Sequence, residues 1–179
     1  GVIENILTSV KNDKIQLNDI VLLYRTNTQS RVIEDRLRRE SIPYHIVGGV
    51  KFYDRKEIKD ILAYLKYLLN PSDSIAFKRI INFPPRGLGD TSINKIFTYI
   101  NEHQISLNEG LNKLDDIVLG KNQLKQLKRF KALIKTLQET KNKTAVETVE
   151  LLIQEIALKE HYTNKDNPED FERLENVEE

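Results

Sequence analysis

The feature that most constrains the fold of this chain is a cluster of two prolines and two glycines in residues 83–92, Phe-Pro-Pro-Arg-Gly-Leu-Gly-Asp-Thr-Ser. Proline lacks an amide donor and disfavours helix in the residue before it, so a preceding helix must end by Pro84. Glycine accepts backbone dihedrals that other residues resist. Asp90, Thr91 and Ser92 are residue types that cap a new helix. The stretch therefore predicts a helix, a tight glycine hairpin and a second helix.

A hairpin of this kind would present main-chain amides at the positive N-terminus of the second helix, and amides so placed bind a backbone phosphate whatever the base. Residues 75–89 include Lys78, Arg79 and Arg86 and no acid. This favours nucleic acid over the alternative, an ordinary helix–helix turn. The interpretation requires that the hairpin nitrogens are not already bonded to protein. The predicted DNA contacts are Arg86, Gly87, Leu88, Gly89, Thr91 and Ser92.

The first fifty residues differ from the rest in the pattern of their apolar residues. Residues 19–24 and 43–47 are short apolar runs that predict strands, and a helix with Val32, Ile33 and Leu37 on one face separates them. Strand, helix and strand in this order form a βαβ unit of a parallel sheet. Two strands do not make a stable sheet alone, so the remaining strands are expected elsewhere. A further helix is predicted over residues 3–11.

Polar side chains follow the first predicted strand directly, where α/β folds place ligand contacts. Arg25 and Arg31 can pair with phosphates, while Thr26, Asn27 and Gln29 can bond to sugars or bases. The alternative is a polar loop whose residues cap the next helix.

After Gly49 the sequence predicts helices and no strand. Asp54 and Glu57 resemble a capping box for the first of these helices. The helical apolar spacing covers residues 58–69, 76–81, 93–100, 107–114, 123–138, 145–158 and 168–177. The predicted fold is therefore mainly α: a partial α/β unit over residues 1–50, then a helical domain over residues 51–179 that contains a helix-hairpin-helix-like element.

Charge is strongly segregated along the chain. Residues 121–143 hold eight basic residues and one acid, and residues 166–179 hold seven acids and one arginine. The lysine-rich helix predicts either a duplex-facing surface or a solvated face, and the acidic end predicts a solvated helix. Both segments could also be docking faces for proteins.

No catalytic, cofactor or metal site is predicted. There is no cysteine, His45, His103 and His161 are widely separated, and Gly120-Lys121 lacks the rest of a Walker loop. No membrane span or secretory signal is present, so a cytoplasmic location is expected. Because the chain also has no methionine, it is expected to be a piece of a longer protein.

Three blocks resemble the UvrD/PcrA/Rep family of superfamily 1 ATP-dependent DNA helicases. They are Tyr-Arg-Thr-Asn-Thr-Gln-Ser-Arg at residues 24–31, Gly-Gly-Val-Lys-Phe-Tyr-Asp-Arg-Lys-Glu-Ile-Lys-Asp-Ile-Leu-Ala-Tyr-Leu at residues 48–65, and Asn-Phe-Pro-Pro-Arg-Gly-Leu-Gly at residues 82–89. The later chain is similar through Arg-Leu-Glu-Asn at residues 173–176. The order and spacing of three blocks are more specific than any single motif.

The resemblance implies part of a RecA-like motor domain (2A) followed by most of an accessory domain (2B) of a 3′-to-5′ helicase involved in DNA repair or replication. Arg25 and Asn27, with Thr26 between them, would lie along single-stranded DNA, and residues 87–92 would grip the duplex. ATP and Mg²⁺ would be bound by the rest of the parent chain. Because the Walker motifs are absent here, the fragment should neither hydrolyse ATP nor unwind DNA. A protein-interaction module is the alternative function.

Overall fold

The computed structural model describes residues 1–12, 14–25, 27–139, 143–163 and 167–178, with the backbone alone at residues 27 and 28. This described part of the chain is mainly helical and contains no strand. It divides into two compact units, Gly1–Ile58 with Glu175–Glu179 and Lys59–Leu174. The helices are α1 Val2–Asn12, α2 Asn27–Arg39, α3 Lys56–Leu69, α4 Ser74–Ile80, α5 Asp90–Glu102, α6 Leu107–Asn112, α7 Lys121–Gln138, α8 Ala145–Glu155, α9 Leu158–Thr163 and α10 Pro168–Glu178.

The core of the first unit forms between α1 and α2. Each helix repeats its apolar residues at helical spacing, which gives it one apolar face to bury. The buried side chains are Ile3, Ile6, Leu37 and Ile42. The predicted division of the chain after residue 50 stays a prediction about domains. The compact unit described here extends to Ile58 and includes the end of α10.

The two predicted strands are not formed in the described residues. Residues 20–24 and 43–47 have no strand assignment, and Val21, Leu23 and Val47 are 77%, 93% and 96% exposed. A strand exists only when a neighbour accepts and donates its backbone hydrogen bonds. The two segments instead line an open groove of about 620 Å³. Among the described residues, neither segment has a partner strand, so the predicted βαβ unit is not formed there.

A buried polar network joins α2, the start of α3 and the end of α10 within the first unit. Ser30 Oγ donates to Glu34 Oε1 at 3.0 Å, and Arg55 donates to Ser30 Oγ at 3.1 Å and to Asn176 Oδ1. Asn176 Nδ2 then donates to Glu57 Oε1 at 2.7 Å. Buried polar groups must be paired in this way to avoid a desolvation cost. The carboxylate of Glu57, predicted as half of a capping box, thus bonds to a residue distant in sequence.

The core of the second unit is built around aromatic rings. The ring centroid of Phe77 lies 5.7 Å from that of Tyr67 and 5.9 Å from that of Phe130. Edge-to-face and tilted contacts at this separation stabilise aromatic pairs beyond their area burial. The fully buried apolar side chains of this unit are Tyr64, Phe77, Ile80, Ile81, Leu88, Ile96, Leu127, Phe130, Leu137, Leu152 and Leu158.

Predicted helix ends differ from the observed ends where single residues change the backbone. The predicted helix over residues 145–158 is two helices, because Ala157 has a left-handed φ of 50° between α8 and α9. Similarly, α6 ends at Asn112 rather than at residue 114. Apolar spacing continues through such breaks, so periodicity alone does not locate them.

Gly110 allows α6 to pack closely on α5. A Cβ atom at this position would lie 2.5 Å from Ile100 Cγ1 and 2.9 Å from Cδ1. We expect Gly110→Ala to lower the free energy of unfolding by about 1–2 kcal/mol, because overpacking outweighs the gain in helix propensity. Urea denaturation measures the change, and the same substitution should cost less in an Ile100→Ala background, which lacks both the Cγ1 and the Cδ1 atom. Higher stability of the single variant would contradict this packing.

Candidate nucleic-acid interface

The candidate site is the connection between α4 and α5, which covers residues 81–89 and is longer than the predicted tight hairpin. Gly89 is the N-cap of α5, and its carbonyl accepts from the Ser92 amide at 2.9 Å and the Ile93 amide at 3.2 Å. The prediction that residues 90–92 cap the helix through their side chains is therefore corrected. Asp90 and Thr91 form the exposed first turn, and Ser92 is buried.

The side chain of Asn82 fixes the backbone of the loop through two hydrogen bonds. Its Oδ1 atom accepts from the Arg86 amide at 2.8 Å and from the Leu88 amide at 3.1 Å. The Leu88 side chain is fully buried. The expectation that all hairpin nitrogens face outward is thus wrong for Arg86 and Leu88, whose amides are already bonded to protein.

The amides between and after these two residues differ. Within the described chain, the amides of Gly87, Gly89, Asp90 and Thr91 have no hydrogen-bond acceptor, and all four residues are exposed. Along residues 86–89, the backbone amides are therefore alternately bonded to Asn82 and without a protein acceptor. Unbonded N–H groups at a helix N-terminus carry the positive end of the helix dipole and attract anions.

The two glycines have different reasons to be glycine. Gly87 has a φ of 71°, a left-handed conformation that other residues adopt at a cost. Gly89 has φ −76° and ψ −179°, an ordinary extended conformation. No atom lies within 4 Å of a Cβ built on Gly89. The fold itself thus tolerates a side chain at Gly89, and the bare backbone there leaves room for a ligand to approach closely.

The Arg86 guanidinium faces the protein. Its Nη1 donates to the carbonyls of Ile80 at 3.0 Å and Phe83 at 2.7 Å, and its Nη2 donates to the Tyr64 hydroxyl at 2.8 Å. The guanidinium also lies 5.4 Å from the ring centroid of Phe130. Arg86 was predicted to offer its charge to a phosphate. The structure instead places its donors where they hold the end of α4 and the start of the loop together.

Tyr64, together with Arg86, holds the end of α4 and the start of the loop in contact. It is fully buried, and its hydroxyl donates to the Phe83 carbonyl while accepting from Arg86. Burial raises the pKa of the Tyr64 hydroxyl above its usual value of 10.0, so the group stays neutral and remains a donor at physiological pH.

Three further cations lie on the helices that flank the loop. Lys78 and Arg79 belong to α4 and Lys95 belongs to α5, and all three are exposed. The Lys78 ammonium lies 4.4 Å from the ring centroid of Phe97, and Arg79 Nε lies 2.7 Å from Asp60 Oδ1. Exposed cations beside the free amides add an attraction for phosphate that salt weakens.

The second predicted site, the polar run after residue 24, lies in the first unit. Arg25 is exposed, and its amide donates to Gln29 Oε1 at 3.1 Å. Thr26 lies outside the described residues, and Asn27 is described by its backbone, which begins α2. The Arg31 guanidinium lies 5.0 Å from the ring centroid of Phe52. Within the described part of this run, Arg25 is the exposed cation, and contact with single-stranded DNA stays a prediction.

The remaining predicted features have ordinary positions. Among the described residues, no group of three histidines or acids has metal-binding geometry. No described helix has the length and apolarity needed to cross a membrane. The lysines of α7 are exposed, whereas in the acidic end Arg173 pairs with Glu169 and Asp170. Asp166 lies outside the described residues.

Sequence reasoning missed Asn82 and Tyr64, which hold the loop without facing solvent. Asn82 carried a local signal, because Asn side chains frequently accept from amides a few residues away in turns. Tyr64 carried none, since its helical spacing predicts only burial. Its partner carbonyls are about twenty residues distant in the chain.

Comparison with known proteins reveals a family. The UvrD-like helicase C-terminal domain family matches residues 1–178. The ATP-dependent DNA helicase PcrA of Bacillus subtilis (strain 168) is 41% identical over 167 residues, which are 93% of this chain and 23% of that protein. PcrA of Staphylococcus aureus (strain Mu50) is 38% identical over 179 residues, which are 99% of this chain and 24% of that protein.

PcrA of Staphylococcus epidermidis is likewise 38% identical over 99% of this chain. The chain spans about a quarter of the length of these relatives. The family match covers nearly every residue, and the mainly helical structure agrees with it. The chain therefore belongs to the UvrD-like helicase C-terminal domain family.

Proposed function

We propose that this chain is the part of an ATP-dependent DNA helicase that holds DNA by its backbone. A duplex phosphate is bound by the amides of Gly87, Gly89, Asp90 and Thr91. The observation that carries the proposal is the set of unbonded, exposed amides at the N-terminus of α5. Such a set binds phosphate without reading the base, as a helicase that acts on any sequence requires.

In this proposal the other predicted contact residues act through the loop. Leu88 anchors it in the core and Arg86 fixes its start. The buried Ser92 supports the first turn of α5, next to Thr91. The connection then works as a helix-hairpin-helix-like element. The bonds of the Arg86 and Leu88 amides to Asn82 fix the backbone that presents the remaining amides to phosphate. A preorganised donor set loses little entropy on binding, which favours affinity from few contacts.

The first unit fits the edge of a motor domain. Residues 20–24 and 43–47 leave apolar side chains exposed and line one groove, so strands from the rest of a parent chain can complete a sheet there. We place Arg25, Thr26 and Asn27 on the single-stranded DNA track of that domain. The similarity to proteins named ATP-dependent DNA helicase PcrA supports this assignment.

Catalysis belongs to the parent protein in this proposal. ATP and Mg²⁺ bind to its other segments, and the present chain contributes DNA contacts and regulation during repair or replication in the cytoplasm. The sequence has no Walker loop to bind the phosphates of ATP. ATP hydrolysis by the purified 179-residue chain would contradict this division of roles.

Duplex binding tests the site. Fluorescence anisotropy of a labelled duplex should give a dissociation constant on the order of 10⁻⁴ to 10⁻⁶ M that weakens steeply with salt. Gly89→Leu keeps an allowed backbone and open space for the side chain, so the fold should persist. Because the side chain covers the amides, we expect affinity to fall about tenfold, equivalent to one charge-assisted hydrogen bond.

The matched control is Asn101→Leu, an exposed position at the opposite end of α5. It adds the same apolar side chain to the same helix, and we expect duplex affinity within about twofold of the unsubstituted chain. Equal affinities for the two variants would place duplex binding elsewhere on the chain.

Asp90 opposes anion binding at this site. Its exposed carboxylate lies in the first turn of α5 beside the free amides. We expect Asp90→Asn to raise duplex affinity about two- to fivefold at low salt, because a like charge near the phosphate is removed. The same titration at high salt should show a smaller gain. Weaker binding by the variant would contradict a phosphate at this turn.

A further inference from the structure

The second unit contains a groove of about 390 Å³ formed by the end of α3, by α6 and by the C-terminal half of α7. The groove is large enough for one bulky side chain. We propose that it binds an acidic peptide segment of a partner protein, anchored by one large apolar side chain. This proposal is independent of the DNA site and concerns a different surface.

The groove has an apolar lining beneath its rim. Tyr67, Leu111, Phe130 and Ile134 contribute to it, and each is at most 7% exposed. These side chains belong to the packed core, so the lining is formed before any ligand arrives. A preformed apolar depression favours an apolar anchor, because burying such a side chain stabilises the complex by about 1.5–3 kcal/mol.

One rim of the groove is basic. Lys128, Lys131 and Lys135 follow each other at helical spacing along α7 and line the groove. The Lys128 ammonium lies 2.6 Å from Asp115, and that of Lys135 lies 3.9 Å from Glu139, both on the surface. Exposed pairs of this kind contribute little, so acidic groups of a ligand can replace them. Lys131 has no ion-pair partner among the described residues.

Neutral polar groups complete the groove. Asn108, Asn112 and Gln138 line it, and their exposed carboxamides can donate to and accept from a peptide backbone. Tyr67 is 2% exposed, and its hydroxyl has no hydrogen-bond partner within the described chain. Burial raises its pKa to about 12, so the hydroxyl stays protonated and available as a donor. The Tyr67 hydroxyl is not among the buried atoms that lack a partner, so it reaches the surface of the groove and can donate to a ligand there.

The combination favours peptide over nucleic acid. A DNA backbone matches lysines, but it has no apolar side chain to fill the depression. Bases would need an exposed flat ring on which to stack. Here the rings of Tyr67 and Phe130 are buried against the core, with centroids 6.4 Å apart and planes inclined by 35°. An acidic segment with an aromatic or leucine anchor matches both the charge and the shape.

The test uses a capped peptide, Asp-Glu-Leu-Trp-Asp-Glu, and the 179-residue chain. Because the chain has no tryptophan, emission reports the peptide alone. We expect a saturable blue shift on binding, with a dissociation constant on the order of 10⁻⁵ M, as for a small transient interface. The side-chain amide resonances of Asn108, Asn112 and Gln138 should move in the same titration. Replacement of Leu and Trp by Ser in the peptide should abolish those movements of the amide resonances.

Charge-reversal pairs on one helix locate the site. Lys131→Glu with Lys135→Glu should weaken peptide binding at least tenfold, because both positions line the groove. The matched control reverses Lys121 and Lys125, which lie nearer the start of α7 and do not line the groove, but line an adjoining depression. We expect the control pair to weaken binding less than threefold. Gly89→Leu should leave peptide binding unchanged, which separates this result from the duplex measurement.

Three results would overturn the proposal. Equal losses for the two lysine pairs would reveal general charge attraction without a groove. Undiminished binding of the Ser-substituted peptide would exclude an apolar anchor. Loss of duplex affinity confined to the groove pair, without loss of peptide affinity, would make the groove a nucleic-acid surface.

Discussion

Substitution Leu88→Ala should lower the free energy of unfolding of the chain by about 3 kcal/mol. The side chain is fully buried although its neighbours on both sides, Gly87 and Gly89, are exposed. Removing it deletes apolar contacts and leaves a cavity that the surrounding helices fill only in part. The loop then loses its anchor, so duplex affinity should also fall. Urea denaturation followed by circular dichroism measures the first effect.

The control for Leu88→Ala is Val118→Ala, which truncates an apolar side chain that is 83% exposed. We expect it to change stability by less than about 0.5 kcal/mol. A similarly small effect of Leu88→Ala would mean that this side chain is not part of the core. The loop geometry described above would then be wrong.

Replacing Arg86 by Met should lower the free energy of unfolding by about 2–3 kcal/mol, since several of its hydrogen bonds are lost together. The carbonyls of Ile80 and Phe83 and the hydroxyl of Tyr64 lose a charged donor. Met keeps much of the apolar stem that packs towards Phe130, which isolates the effect of the donors. The change should be measured by urea denaturation.

Salt dependence separates a positioning role of Arg86 from direct phosphate contact. If Arg86 only orders the loop, Arg86→Met should reduce duplex affinity while leaving the slope of log affinity against log salt unchanged, because no phosphate loses a cation. The control Lys95→Met removes an exposed cation on α5 and should preserve stability. A slope reduced by about one for Arg86→Met, with stability unchanged, would show that the guanidinium contacts phosphate.

The helical part of the fold could be predicted from the sequence because its signals are local. Apolar residues repeat at helical spacing through α3 and α7, and Ser106 and Thr144 begin capping boxes for α6 and α8. The segments at residues 20–24 and 43–47 could not be resolved in the same way. Strand formation depends on neighbouring strands, which composition and periodicity within one segment do not reveal.

The position of the candidate site could be predicted, whereas its atomic roles could not. The prolines and glycines identified the loop, in which Gly87 and Gly89 are exposed residues, and contact with DNA there stays a prediction. The orientation of Arg86 depends on Tyr64 and Phe130, which are distant in sequence. An arginine beside a glycine turn suggests a phosphate contact. Whether its guanidinium instead bonds to backbone carbonyls is decided by tertiary packing. Sequence spacing does not record such partners.

The contacts of Arg86 with Tyr64 and Phe130 connect the packing of the second unit to its proposed role in DNA binding. Phe130 packs in the aromatic core, lies 5.4 Å from the Arg86 guanidinium and also lines the groove proposed to bind a peptide. Its substitution should therefore disturb both surfaces. Rigid support beneath exposed donors is what allows few contacts to hold a phosphate.

A titration of the ¹⁵N-labelled chain with a short duplex at low salt detects phosphate at the individual loop amides. We expect the amide protons of Gly87 and Gly89 to move downfield as they bond to phosphate, while those of Arg86 and Leu88, already bonded to Asn82, move little. Unchanged resonances for both glycines, with large movements confined to the lysine-bearing face of α7, would contradict this expectation.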